Sequence, residues 1–237
     1  MGRQVALNPS PPARVRQNSD VRFLDGIPDD DAREVMARCR RRRFAAREVI
    51  FHEGDRADGM HLIASGRVSV RVTTTTGSTA TLDILGPGDP LGELALLTPG
   101  ATRSASATAL AATETFALAG SVFADLWSRF PAVANMLVAL LVERNRALTA
   151  RLTEALYVPA DARVARRLLD MATRFATPGT GGPVVALSQD DLAGLAGTTR
   201  ETVNRTLSQL ADQGAVAVRR GEVVLLDQGA LRLRAAQ

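Results

Sequence analysis

The chain has 237 residues, of which 46% are hydrophobic and 23% charged, with a net charge of +4. That length suits two modest domains with real cores, and the balance is that of a globular chain rather than a disordered or fibrous one. No run of about 18 apolar residues occurs, so neither a transmembrane helix nor a membrane partner is expected.

Residues 1–20, MGRQVALNPSPPARVRQNSD, lack the apolar centre of a secretory signal and read as a flexible basic tail; a cytoplasmic protein is expected. Residues 21–129 are expected to form the first domain. It opens with a short helix, PDDDAREVMARCRRR, where Pro28 and the acids at 29–31 favour the first turn. The single cysteine, Cys39, excludes a disulfide framework and a four-thiolate iron–sulfur cluster within one chain. Its setting, RCRRRR, leaves two readings. Neighbouring guanidinium groups could favour a reactive thiolate and hence a redox sensor, or the thiol could be packed and quiet.

From Val49 to Leu118 the chain reads as short strands: VIFHEGD, MHLIASG, RVSVRVTTTTG, TATLDILGPGD and TETFAL. Glycines at 54, 66, 77 and 88 punctuate them at intervals of 11 or 12, which predicts an antiparallel sandwich or barrel. His52 and His61 lie nine apart with no acid or cysteine at ligand spacing, so no metal site is expected. Within this stretch GELALLTPGATRSA sets Glu93 ten residues ahead of Arg103, across a turn built on Pro99 and Gly100. The two charges could be a surface ion pair, or could face a small polar ligand.

After the sheet, SVFADLWSRF predicts a short helix that stops before Pro131. Residues 130–158 then run for about 28 positions without glycine or interior proline, a helix of roughly 42 Å. Leu137, Leu141, Leu148 and Leu152 recur by four and seven, a seam that predicts pairing with a second copy of the chain and a link between domains. Residues 159–237 hold an amphipathic helix, DARVARRLLDMATRF, then a Gly/Pro loop, then SQDDLAGLAGTTRETVNRTLSQLADQGAV and a hairpin, VAVRRG/EVVLL. Ser188 and Asp191 look like a capping box, Gly197 suits a left-handed turn, and Thr199 caps the next helix. This is a helix-turn-helix layout. Arg200, Glu201, Asn204 and Arg205 stand at the head of its second helix, where base edges are read, and Arg219 and Arg220 on the wing would lie near phosphates. All 29 basic side chains are Arg, yet they number 19 against 17 acids up to residue 160 and 10 against 8 beyond it. Any DNA contact must therefore come from placed arginines rather than bulk charge.

The RETVNR string and the short wing after it resemble the Crp/Fnr family of bacterial transcription regulators, and the plan of residues 21–227 is similar throughout. The resemblance implies an α+β fold: an N-terminal antiparallel β-roll that binds a cyclic nucleotide, a long dimerisation helix, and a C-terminal winged helix-turn-helix. It implies a homodimer on an inverted-repeat operator with TGTGA-like half-sites in double-stranded DNA, with bases read by Arg200, Glu201 and Arg205; Ser188, Thr199 and Asn204 are expected among the DNA-binding residues. RNA polymerase would be a partner if the protein is an activator. GDRADGMHLIASGRVSV and GELA…RSA resemble the turn and phosphate cassette of cyclic-nucleotide-binding domains. Carried over, Glu93 holds the ribose, Arg103 and Ser104 hold the phosphate, and Gly92, Leu94 and Ala105 bring backbone close. Arg144 matches a family arginine that reaches toward Glu93. Members that bind cyclic AMP carry Thr-Ser on the long helix, where this chain has Leu148-Thr149, so one hydroxyl is kept in Thr149 and one is lost.

The expected effector is cyclic AMP, with no metal, haem or iron–sulfur cluster and no catalytic residue. The competing expectation is the same regulator acting without a cyclic nucleotide or on another signal, for example a redox signal at Cys39. A cyclic-nucleotide-regulated enzyme fares poorly because the helix-turn-helix occupies the room for a catalytic domain. A cupin-like metalloenzyme lacks its His/Glu cluster.

Overall fold

The computed structural model describes residues 27–237 apart from 76, 78 and 99. The expected basic tail at 1–20, and the Pro99 of the turn, lie outside the described residues. Helix α1 (Asp29–Arg38) carries its three acids in the first turn, as the dipole favours. Eight strands follow: β1 (Arg40–Phe44), β2 (Val49–Phe51), β3 (Gly59–Ser65), β4 (Val68–Thr73), β5 (Thr79–Leu85), β6 (Pro90–Leu91), β7 (Ser106–Ala109) and β8 (Thr113–Ala119). They form two antiparallel sheets in the orders β1-β8-β3-β6 and β2-β7-β4-β5. Met60, Leu62 and Leu118 from the first sheet, and Ile63, Val68 and Ala107 from strands of both, are fully or nearly fully buried. Gly66 shows why the turns need glycine: its φ is +87°, and a Cβ there would sit 2.4 Å from Thr113 Oγ1.

One boundary departs from expectation. The first helix stops at Arg38, and the four arginines after it are a strand, not helix. Helical propensity for arginine is good, but β1 pairs residue by residue with β8, from Arg40 opposite Ala117 to Phe44 opposite Thr113. The four guanidinium side chains stay exposed while Phe44 is buried, so the arginines are a solvated sheet edge.

The same edge explains the behaviour of Cys39. The thiol packs with the cluster of Val35, Val122 and Phe123, and burial pushes its pKa up to about 11. The arginines of β1 are exposed, and burial works against the thiolate that the redox reading needs.

Helices α2 (Gly120–Arg129) and α3 (Pro131–Tyr157) meet at 108°, and no single described helix is both long and apolar enough to cross a membrane. The expected leucine seam on α3 divides in two. Leu137 is 1% exposed and belongs to the core under the sheets, whereas Leu148 and Leu152 are 49% and 62% exposed. The exposed apolar residues of the helix are Val138, Val142, Leu148, Leu152, Leu156 and Tyr157. Among the described residues, the buried apolar side chains of α3, Val133 and Leu137, lie in its first turns.

Helix α4 (Ala160–Phe175) opens the C-terminal unit, with β9 (Val184–Val185), α5 (Gln189–Ala196), α6 (Arg200–Asp212), β10 (Val216–Arg219), β11 (Glu222–Leu225) and α7 (Gln228–Ala235). The expected hairpin is part of a three-stranded sheet, β10-β11-β9. Leu168, Leu192, Val203, Leu207 and Leu210 form its core, and Ile84 of β5 joins the same cluster. The two units are thus packed together. Gly194 of α5 approaches Thr81 so closely that a Cβ would meet its Oγ1 at 2.4 Å, and Arg71 of β4 pairs with Asp191.

The partly buried Cys39 and His61 each make the packing testable. Alkylation of Cys39 in the folded protein at neutral pH is expected to be slower than that of free cysteine; a faster rate would restore the sensor reading. His61, bonded at 2.9 Å to Thr115 Oγ1, is held down to about 4 from 6.5 by burial and then by Arg103 and Arg42. The unfolded ring takes up its proton near 6.5 and the native ring only near 4, so stability is lost as pH falls through that window. Urea unfolding should show about 2 kcal/mol less stability from this group at pH 5 than at pH 7, a difference that His61→Gln removes.

Candidate effector cleft and nucleic-acid interface

Gly92 links β6 to a short 3-10 turn, Glu93–Leu96. Its φ is +81°, and a Cβ would lie 2.4 Å from Arg103 Nη1, so the position needs glycine for both backbone and space. Arg103 returns from the far side of the loop and donates through Nη1 to Gly92 O at 2.8 Å. Its guanidinium lies 4.3 Å from the centre of the Phe51 ring.

The environment of Arg103 is that of an anion site. The residue is only 5% exposed. The nearest carboxylate is that of Asp58, 3.8 Å away and itself almost wholly in water. Among the described residues Arg103 Nε is buried without a hydrogen-bond partner. Burial lowers the pKa of the group, while Asp58, Glu93 and Asp55 pull the other way. A buried guanidinium with an orphaned donor and no close counter-ion is completed by an anion that brings its own acceptors.

Glu93 does not pair with Arg103, as a surface ion pair would require. It is 1% exposed and pairs with Arg144, whose Nη2 also donates to Pro90 O at 3.0 Å. The helix α3 is thereby fastened to the loop. Ser104 is exposed and Ala105 buried.

These residues open onto one cleft of about 910 Å³, within the range of small-molecule sites. Gly92, Glu93, Leu94, Arg103, Ser104, Ala105 and Arg144 all line it. Thr149 does not, whereas Leu148 does. Ala147 and Leu148 line that turn of α3, and Thr149, about 100° further round the helix from Leu148, falls outside the lining. The expected hydroxyl contact from Thr149 is therefore not made by this chain's own cleft, which meets Leu148 instead. Reading the sequence missed Phe51, Asp83, Arg151, Arg174 and Phe175, which also line it. No local signal marks them, because they reach the cleft from four separate elements, β2, β5, α3 and α4.

In the C-terminal unit Ser188 caps α5 by accepting from Asp191 N at 3.1 Å. The carboxylate of Asp191 does not close the reciprocal half of a capping box; it is taken by Ser188 Oγ and Arg71. Ser188 is thus half-buried and committed to the cap. Gly197 takes the left-handed conformation at φ 59°, and Thr199 Oγ1 accepts from Thr202 N at 3.2 Å. Val203, Leu207 and Leu210 bury one face of α6, leaving Arg200, Glu201, Asn204 and Arg205 exposed at its head. Bonds from its own backbone and from Thr199 lower the pKa of Glu201, which keeps it an acceptor. Arg219 and Arg220 are exposed on the β10–β11 hairpin.

Comparison with known proteins agrees with both halves. Residues 41–130 match the family "Cyclic nucleotide-binding domain", and residues 162–234 match "Crp-like helix-turn-helix domain". The chain is 36% identical to the cyclic AMP receptor protein of Thermus thermophilus over 85% of this chain and 90% of that one. It is 25% identical to the cAMP-activated global transcriptional regulator CRP of Escherichia coli, over 80% and 91%. Among solved structures, the regulator CLP of Xanthomonas campestris superposes with a TM-score of 0.75 at 24% identity over 84% of this chain and 99% of that one, a likeness of fold. The Thermus thermophilus catabolite activator protein does so at 0.51 and 34% identity, over 91% and 98%. A cyclic-nucleotide-binding domain joined to a helix-turn-helix of this kind places the chain in the Crp/Fnr family of DNA-binding transcription regulators.

Proposed function

We propose that the protein is a homodimeric transcription regulator whose operator affinity is set by a cyclic nucleotide, cyclic AMP first among them, bound in the cleft. The observation that carries this reading is Arg103: a buried guanidinium with an unpartnered Nε beside the glycine backbone of Gly92. It would take the cyclic phosphate together with Ser104, and Glu93 would accept from the ribose hydroxyl. The names of the Thermus and Escherichia coli relatives support cyclic AMP. Dimerisation is supported by the exposed stripe from Val138 to Leu156, which has the spacing of a helix–helix seam. Two copies would present two α6 helices to an inverted repeat of TGTGA-like half-sites, about one helical turn apart. Arg200, Glu201, Asn204 and Arg205 would read bases, and Arg219 and Arg220 would meet phosphates. Ligand and DNA would then be coupled reciprocally, each tightening the other. The protein would act through binding rather than catalysis, in the cytoplasm, and through RNA polymerase if it activates.

Leu148 supports a second reading, a regulator of the same build that works without a cyclic nucleotide, since no hydroxyl meets the base at that wall. Calorimetric titration with cyclic AMP and cyclic GMP separates the two. Heat from wild type that disappears in Arg103→Ala is the expected result; no heat from either nucleotide favours the second reading, and equal binding by both proteins moves the ligand elsewhere.

A gel shift on the inverted repeat tests the DNA half. Arg200→Ala should weaken binding by about 1–3 kcal/mol per half-site, and undiminished binding would refute the assignment.

A further inference from the structure

We propose that the DNA-binding unit itself supplies part of the effector site: Arg174 and Phe175, at the end of α4, form the wall that meets the base of the nucleotide. The inference rests on the cyclic-nucleotide reading above and adds where the base goes. With the phosphate at Arg103 and Ser104 and the ribose at Glu93, the remaining length of the ligand must follow the cleft away from that end. Along α3 the lining residues are Arg144, Ala147, Leu148 and Arg151, which climb about 10 Å at 1.5 Å per residue. Arg151 contacts Leu82 and Asp83 of β5, and Gly86, Arg174 and Phe175 line the same cleft.

This end is polar and shared between the two units. Asp83 Oδ1 accepts from Arg174 Nη1 at 3.0 Å and lies 3.5 Å from Arg151 Nη2. Arg174 Nη2 donates to Ile84 O at 2.7 Å, and Arg151 also donates to Leu82 O. The Phe175 ring seats on Gly86, where a Cβ would be 2.5 Å from its Cε1. The ring is half-exposed, with the Arg174 guanidinium 4.7 Å from its centre. An aromatic face, a carboxylate that accepts from an exocyclic amine, and guanidinium donors for ring nitrogens or a carbonyl are what a purine requires. Leu148 supplies the apolar side without a hydroxyl.

The consequence is a direct link between effector and DNA-binding unit. A base held between β5 and α4 interacts only with the arrangement in which the two units are docked, so the ligand favours that arrangement by its own contacts. The long helix need not carry the whole signal.

The test uses the full-length protein and two ligands: cyclic AMP, and ribose 3′,5′-cyclic phosphate, which has the same phosphate ring without a base. Affinity for cyclic AMP is read by calorimetry, and that for the base-less ring by competition at millimolar concentration. Phe175→Ala should weaken cyclic AMP about tenfold and leave the base-less ring within about twofold. Phe175→Leu, which keeps an apolar contact with Gly86 but removes the ring face, should show the same base-dependent loss, which guards against misfolding of the alanine variant. Arg174→Gln should likewise act on cyclic AMP alone. Equal weakening of both ligands, or no change in either, overturns the proposal. If Arg103→Ala loses both ligands while Phe175→Ala and Phe175→Leu lose neither, the cyclic-nucleotide reading stands and this inference falls. If wild type binds neither ligand, both fall.

Discussion

A buried positive charge with no carboxylate close against it is the constraint around which the first domain is arranged. Arg103 is 5% exposed, and its one ion-pair partner among the described residues, Asp58, is 3.8 Å away in water. Burying such a group costs several kcal/mol unless hydrogen bonds or an anion offset it. The fold offsets part of the cost with the Gly92 carbonyl and the Phe51 ring, and leaves Nε without a partner. Glycine at 92 is what lets the guanidinium in at all. The nearby acid cannot complete the charge, because Glu93 is already taken by Arg144.

That second pair carries the site's influence outward. Arg144 belongs to α3, so neutralising Glu93 also fixes the long helix against the loop. The helix then does two jobs along its length. Its first turns bury Val133 and Leu137 under the sheets, and its later turns hold Val142, Leu148 and Leu152 out in the open. The cleft at Arg103 is lined by α3 residues from Met136 to Arg151, so it borders both regions of the helix.

The contact between the two units is a second, polar layer of the same design. Arg71 with Asp191, and Arg151 and Arg174 with Asp83, tie the sheets to the long helix and to α4 and α5. The Asp83 pairs, partly exposed, contribute modestly and are weakened by salt, whereas Asp191 is buried and Ile84 joins the C-terminal core. The close approach of Gly194 to Thr81 sets the geometry, and the charges select it.

Much of the molecule was legible in the sequence because its signals are local. The glycines at the strand turns, Ser188 and Thr199 as caps, Gly197 as the left-handed turn and the apolar face of α6 each act over a turn or two of chain, where propensity and hydrogen bonding decide the outcome. The Glu93-to-Arg103 spacing and the head of α6 could be read through resemblance. What sequence could not settle is everything that depends on a contact made across the chain. The four arginines after Cys39 became a strand because β8 was there to pair with. Burial raised the pKa of Cys39 where its arginine-rich neighbourhood in the sequence suggested the opposite. Glu93 found Arg144 rather than Arg103, Asp191 turned from its cap to Arg71, and Leu148 rather than Thr149 reached the cleft. In each case the residue type allowed more than one outcome, and packing between distant segments chose one.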